Sequence, residues 1–422
     1  LATFPQIPDF IKLELDVATI LTKQELHGWF FDEHAARELA QALYSELDDL
    51  KSLLCKRYPY VAGREFTPKR INSSTGYVSG APLTKLKEFS PTSRDHIAWV
   101  MENIHGWVPS KQTKAGKTSI DETVLKDIGT EEALQFYRCL ELTKHLGMLS
   151  EGNNAWLKMV KNDRIYHHCS VSTNTHRCAH RRPNLAQVPS DLSFRKLFKA
   201  TPGYVMVGAD LSGIELRMLA HYLAKYDGGR YGDVLINGDI HQENADKIGI
   251  SRKLVKTVTY AFLYGAGDQK IGISYDPQLS PEAAKKKGAE IRTAYVAAID
   301  GLDRLLTDVR KAANRGYVKA IDGRKITVES PHKALNYLLQ SSAGVIAKRW
   351  MVVADYVSKS FYNNTHQLAF IHDELQFETE PELANQFKEQ LEGCAEEAGK
   401  YYNLRVPIAA EGKIGSTWAD VH

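Results

Sequence analysis

The sequence predicts an α+β fold in which one sheet is interrupted by a helical lobe, and three observations lead to it. Residues 1–150 read mostly as amphipathic helix. The run "YVMVGADL" (204–211) then has the continuous apolar character of a strand. After a second long helical stretch, "QLAFIHDELQFETE" (367–380) reads as strand, tight turn, strand.

Composition is that of a globular chain. Among 422 residues 43% are hydrophobic and 25% charged, and the length alone allows about three lobes. No apolar run is long enough to span a bilayer and no signal peptide opens the chain, so a membrane span and a secreted role are not expected. The five cysteines are odd in number and never spaced C-x-x-C, which argues for a reducing intracellular compartment. A net charge of +3 does not by itself establish nucleic-acid binding. The basic clusters 111–117, Arg181–Arg182 and 285–287 read as solvated faces. The chain opens on Leu1 rather than Met and reads as cut from something larger.

Taken in order, Ile20 to Lys56 carries a helical stripe of Ala36, Leu39, Leu43, Leu47, Leu50 and Leu54. Residues 57–90, rich in Pro, Gly, Ser and Lys, read as loop or a short hairpin. "SPTSRDHIAWVMENI" (90–104) starts with cap residues, and Glu131 to Leu149 is again amphipathic. "RIYHHCSVST" (164–173) alternates as a strand does. Helices dominate from Ile214 to about Val357, and Pro381 to Tyr402 forms a last long one. There is no internal repeat and no low-complexity segment. One metal pattern was weighed. "HHCSVSTNTHRCAH" holds His167, His168, Cys169, His176, Cys178 and His180, enough for four zinc ligands, but the spacing fits no standard finger and no zinc is expected.

Candidate chemistry gathers at two strand ends. Asp210 stands where the first apolar run stops, and His372, Asp373 and Glu374 occupy the apex of the hairpin. If those strands are neighbours, Asp210 and Asp373 can share a pair of Mg²⁺ ions about 3.5–4 Å apart, which is a phosphoryl-transfer arrangement. A triphosphate then needs cations. "RKLVKTVTYAFLYG" (252–265) supplies them: Arg252, Lys256, Tyr260 and Tyr264 fall every fourth place, a helical row about 18 Å long with charge at one end and rings at the other. Gly265 closes it. No Walker A sequence is present, so the phosphates must be held from a helix.

"DLSGIELR" (210–217), "RKLVKTVTYAFLYG" and "IHDELQFE" (371–378) resemble motifs A, B and C of family A DNA polymerases, in order. "RRPNLAQVP" (181–189), "DGRKITVESPHKALNYLLQSSAG" (322–344) and "EGKIGSTWADVH" (411–422) resemble the phage replicative branch. The resemblance covers essentially the whole chain, weakly over the first 150 residues. It implies a Klenow-like right-hand polymerase fold: thumb 1–158, palm with an antiparallel sheet 159–221 and 358–422, and helical fingers 222–357.

The activity it implies is template-directed addition of dNTPs to a primer 3′-hydroxyl, with two Mg²⁺ ions, Mn²⁺ as a substitute, and pyrophosphate leaving. By position, Asp210 and Asp373 match the metal aspartates, the Leu211 carbonyl is a further ligand and Glu374 a nearby acid of lesser role. Arg252, Lys256 and His241 match triphosphate contacts, Lys256 also serving as proton donor to pyrophosphate. Tyr260 would stack on the incoming base or sugar, and Tyr264 with Gly265 would occupy the template position. Glu215 would close off the 2′ position of the sugar. Tyr260 stands where many relatives have Phe, which implies tolerance of 2′,3′-dideoxynucleotides. Arg177 and Gln340 match the pair that reads minor-groove acceptors, His372 the contact to the primer terminus, and Asn336 and Arg324 further DNA contacts.

Three departures from the family pattern bear on this. The chain has Thr175-His176-Arg177 where Thr-Gly-Arg is common. The loop at 57–90 is short where the phage branch carries a thioredoxin-recruiting insertion, so thioredoxin is not expected as a partner. There is no room ahead of the thumb for a proofreading exonuclease, which implies one removed or supplied elsewhere, alongside other replication proteins. The expected partners are primer-template DNA and dNTPs, in the cytoplasm of a host cell. A noncatalytic binding scaffold would be favoured by loss of Asp210 or Asp373, and both are present; Glu215 argues against an RNA polymerase.

Overall fold

The computed structural model describes residues 6–109, 116, 118–171, 173–277 and 279–422. The basic stretch 111–117 lies, apart from Gly116, outside them. The chain forms two compact units, residues 1–33 with 159–422 and residues 34–158.

The large unit opens with α1 (Asp9–His27) and β1 (Trp29–Phe31). The helical pattern expected from Ile20 to Lys56 is therefore split. Gly28 takes φ 69°, and the aromatic run after it forms a strand whose Trp29 and Phe31 are buried. α1 buries Leu13, Val17, Ile20 and Leu21 in the core of the large unit, so the expected N-terminal block 1–158 divides after residue 33. Amphipathic periodicity shows that a helix has a buried face without naming what covers it.

In the small unit, α2 (Glu33–Arg57) leads to a hairpin of β2 (Tyr60–Phe66) and β3 (Leu83–Glu88) within the 57–90 segment. α3 (Arg94–Asn103), α4 (Glu122–Ile128), α5 (Glu131–Leu146) and the short α6 (Trp156–Met159) follow. Ser93, Asp121 and Thr130 cap α3, α4 and α5 by accepting from backbone N–H groups. Tyr58, Phe89 and Phe136 pack as an aromatic core, and Arg138 on α5 donates to both oxygens of Glu46 on α2 at 2.6 and 2.7 Å.

The large unit resumes with short strands β4 (Arg164–Ile165), β5 (His168–Ser170) and β6 (Ala179–Arg181), helix α7 (Leu192–Arg195), strand β7 (Phe198–Lys199) and then β8 (Val205–Leu211). Helices α8 (Ile214–Asp227), α9 (Arg230–Asn237), α10 (Ile240–Ile248), α11 (Arg252–Leu263), α12 (Asp268–Tyr275), α13 (Pro281–Ala298) and α14 (Leu302–Ala313) make up the helical lobe. A small hairpin, β9 (Tyr317–Lys319) and β10 (Lys325–Thr327), precedes the long buried helix α15 (Ala334–Phe361). β11 (His366–Ile371), β12 (Glu374–Thr379), α16 (Ala384–Tyr401), β13 (Ala410–Gly415) and α17 (Trp418–Val421) end the chain.

The interrupted sheet is the antiparallel order β11-β12-β8-β13. α16 and α15 lie against its apolar residues, among them Val207, Leu375 and Phe377. α17 lies on the other side, where Trp418 meets Trp29 and Phe198 with ring centroids 5.1 and 5.7 Å apart. In the lobe, α12 and α13 touch backbone to backbone. A Cβ on Gly272 would sit 1.8 Å from the Ala284 carbonyl oxygen, and one on Gly288 would sit 1.7 Å from that of Asp268, so both positions require glycine.

Candidate active site

Sheet register brings the acids together. Asp210 near the end of β8 lies directly opposite Glu374 on β12 and Glu411 on β13, and the Leu211 N–H donates to the Asp373 carbonyl at 3.1 Å, tying the hairpin turn to β8. The turn depends on His372 in the left-handed region, φ 59°, a conformation costly for a side chain with Cβ. Asp210 is exposed and Asp373 half-buried. Desolvation and then the charges of Asp373, Glu374, Glu215 and Glu411 push Asp210 up to about 7. Desolvation and Glu215 push Asp373 up to about 6 against the pull of Arg177. Two hard carboxylates held at such a cost suit a divalent cation that shares them.

Glu374 differs from the expectation of a nearby metal acid. It is 5% exposed, and both its oxygens are occupied: Oε1 accepts from Trp418 Nε1 at 2.7 Å and from Gln376, while His422 Nδ1 stands 3.0 Å from Oε2. The carboxylate anchors the C-terminal helix to the sheet. Glu411 was missed by sequence reasoning, because only strand register shows that it faces Asp210.

α11 presents the expected row. Val255, Val258, Thr259, Phe262 and Leu263 are buried, which leaves Arg252, Lys256, Tyr260 and Tyr264 along the other side. Ser251 caps its start, and Gly265, at φ 73°, turns the chain at its end. Arg252 Nε donates to Asp239 at 2.7 Å, with both side chains well exposed. Lys256 is exposed and has no partner among the described residues. His241 is buried; desolvation lowers its pKa, Asp239 raises it, and Arg252 and Lys256 lower it further. Burial thus favours the neutral imidazole, which carries one N–H donor. Tyr260 is half-buried, its ring centroid 6.3 Å from that of His241.

Glu215 is buried at the first turn of α8, and its Oε1 accepts from Arg177 Nη2 at 2.6 Å and from the Tyr264 hydroxyl at 2.9 Å. Desolvation and Glu215 lift Tyr264 well above the ordinary phenol range. Arg177 runs past Gly344 on α15, where an added Cβ would lie 3.4 Å from its Cγ. Gln340 is half-buried one turn earlier on the same helix. The departure at His176 has a backbone reason: its φ is 58°, the conformation that glycine adopts without strain.

Two expected DNA contacts are corrected. Asn336 is 8% exposed, and its amide donates to the Phe262 and Leu263 carbonyls at 2.7 and 2.6 Å, holding the last turn of α11 against α15. Arg324 is 4% exposed and paired with Glu14 and with Asp322 at 2.7 Å. Burial turns both residues inward, and burial is not written in their identity.

The chain matches the description "DNA polymerase family A" over residues 78–420. It is 32% identical to the DNA-directed DNA polymerase of Escherichia phage T7 and 31% identical to that of Enterobacteria phage T3, each over 98% of this chain and 70% of the relative. Its fold resembles the POL domain of Pol1 from M. smegmatis, solved in complex with DNA primer-template and dNTP, with a TM-score of 0.77 at 21% identity over 97% of this chain and 70% of that one. Acids meeting at the end of an interrupted antiparallel sheet, a cationic and aromatic helix in the lobe, and these matches agree: the chain belongs to DNA polymerase family A.

Proposed function

We propose that, in the template-directed DNA synthesis of this family, Asp210 and Asp373 with the Leu211 carbonyl hold two Mg²⁺ ions, for which Mn²⁺ substitutes. The raised carboxylates at the meeting of β8 and the hairpin turn carry this reading. The ions supply Lewis acidity to the attacking 3′-hydroxyl and to the leaving pyrophosphate. Lys256, exposed and unpartnered among the described residues, binds the triphosphate and donates a proton from Nζ to pyrophosphate. Arg252 joins it after exchanging Asp239 for phosphate, and His241 adds a neutral donor. Tyr260 stacks on the nucleotide, and Glu215 blocks a 2′-hydroxyl. Arg177 and Gln340 read minor-groove acceptors, His372 contacts the primer terminus, and Tyr264 and Gly265 meet the template.

The compact units support a thumb at 34–158, with palm 159–221 and 358–422 joined by α1, and fingers 222–357. Partners are primer-template DNA and dNTPs in host cytoplasm, alongside further replication proteins. The 60–88 hairpin argues against thioredoxin. No helix among the described residues is long and apolar enough to cross a membrane.

Extension of a primed template with dNTPs and Mg²⁺ tests the site. Asp210→Ala and Asp373→Ala, folded and still binding DNA, are expected to lose at least about 10²–10³-fold in rate. Retention of parental rates would overturn the metal assignment.

A further inference from the structure

The metal pattern set aside in the sequence partly assembles in the fold. β5 and β6 pair antiparallel with Cys169 opposite His180, and α1 closes over them. The ligand atoms of His167, Cys169 and His180 lie within 4.8 Å of one another, and all three residues are buried, at 0%, 7% and 9% exposure. Two of the pattern's histidines are engaged elsewhere. His168 faces Glu25 at 2.8 Å, and His176 approaches the Lys325 carbonyl.

We propose that His167, Cys169 and His180 form a zinc site, separate from the Asp210–Asp373 centre and independent of the polymerase assignment. Two nitrogens and a thiolate sulfur are ligands that Zn²⁺ selects over the hard ions the carboxylates prefer. Zinc–nitrogen and zinc–sulfur bonds of about 2.0–2.3 Å place tetrahedral ligands about 3.3–3.6 Å apart. Cys169 Sγ and His180 Nδ1 are already 3.1 Å apart, and no edge of the triangle exceeds 4.8 Å.

The protein alone leaves the cluster poorly satisfied. Gln24 Nε2 stands 3.0 Å from His167 Nε2 and 3.8 Å from Cys169 Sγ, while His167 Nδ1 and His180 Nε2 have no hydrogen-bond partner among the described residues. A cation held between Cys169 Sγ and His180 Nδ1 would replace their mutual contact with coordination bonds. On binding, Cys169 releases its thiol proton to solvent and its sulfur lone pair forms the Zn–S bond.

The site braces α1 to the β5–β6 hairpin. It also lies beneath the catalytic turn, since the His180 ring packs edge-on to His372 at 6.3 Å.

Titration of the metal-free full chain with Co²⁺, followed by displacement with Zn²⁺, tests the site. We expect one cobalt equivalent with a thiolate-to-metal charge-transfer band, which the oxygen-only Asp210–Asp373 centre cannot give. The band should persist in Cys178→Ser and in Asp210→Asn and vanish in Cys169→Ser. Zinc should bind at least about tenfold more weakly to His180→Gln. Absence of a thiolate band in the parent chain, a measurement that needs no variant to fold, would overturn the proposal. So would a band that survives Cys169→Ser.

Discussion

Glu14 on α1 is the residue whose removal should reveal how the large unit is held together. Its two oxygens accept from Lys348 Nζ at 2.8 and 2.6 Å, and its Oε1 also accepts from Arg324. Lys348 is 1% exposed and Arg324 4%, and the Asp322 side chain is fully buried, so two acids balance two bases out of water. Glu14→Ala leaves one buried cation uncompensated, a change that costs about 3–5 kcal/mol. The Glu14 side chain keeps 22% exposure, and water admitted there brings the expected loss to the lower end, about 3 kcal/mol. Glu14→Leu combined with Lys348→Met removes one charge of each sign and leaves Arg324 paired with Asp322. That double variant should lie within about 1 kcal/mol of the parent, because apolar replacement of a whole buried pair is often neutral. Urea unfolding read by hydrogen exchange at α1 and α15 isolates this unit from residues 34–158. A Glu14→Ala loss below about 1 kcal/mol, or a double variant no better than the single, would refute the reasoning.

Other outcomes follow from the site and its supports. Tyr260→Phe should restore discrimination against 2′,3′-dideoxynucleotides, measured as the ratio of chain termination to extension, and equal incorporation by both proteins would count against a role for the phenol. Asn336→Leu strips donors from the Phe262 and Leu263 carbonyls and should cost about 1–3 kcal/mol, with faster hydrogen exchange confined to the end of α11. Burial alone would raise Glu378, but His27 at 2.7 Å and the Thr201 N–H and hydroxyl outweigh it and hold the carboxyl below its usual range. Because the folded-state pKa is depressed, this stabilisation is present above about pH 4.3 and is lost as pH falls through the lower folded value. Glu378→Gln should therefore destabilise the protein at neutral pH, with the gap to the parent closing in acid. A gap independent of pH would mean that the carboxylate charge contributes nothing.

What could be read from the sequence was what is local. Asp210 and the His372–Asp373–Glu374 apex each stand at the boundary of an apolar strand, and the α11 row repeats every fourth residue, so position along the chain implied position in space. The rest depends on partners far away in the chain. Glu411 faces Asp210 only through the pairing of β13 with β8, and both oxygens of Glu374 are engaged by Trp418 and His422 near the end of the chain. Asn336 and Arg324 carry DNA-contacting chemistry, but close packing spends it inside the protein. Cys169 and His180, eleven residues apart in the chain, meet only because β5 and β6 pair antiparallel.

The glycine contacts between α12 and α13 have a mechanical consequence. With main chains touching at Gly272 and Gly288, no side chain separates the helices at those two points, and the pair is held backbone to backbone there. Arg292 on that pair donates to Asp268 at its near edge and to the Ala266 carbonyl just beyond α11. Arg292 thus ties the pair to the turn at Gly265 that ends α11. A side chain at either glycine would force the two helices apart at that point, far along the chain from Asp210 and Asp373.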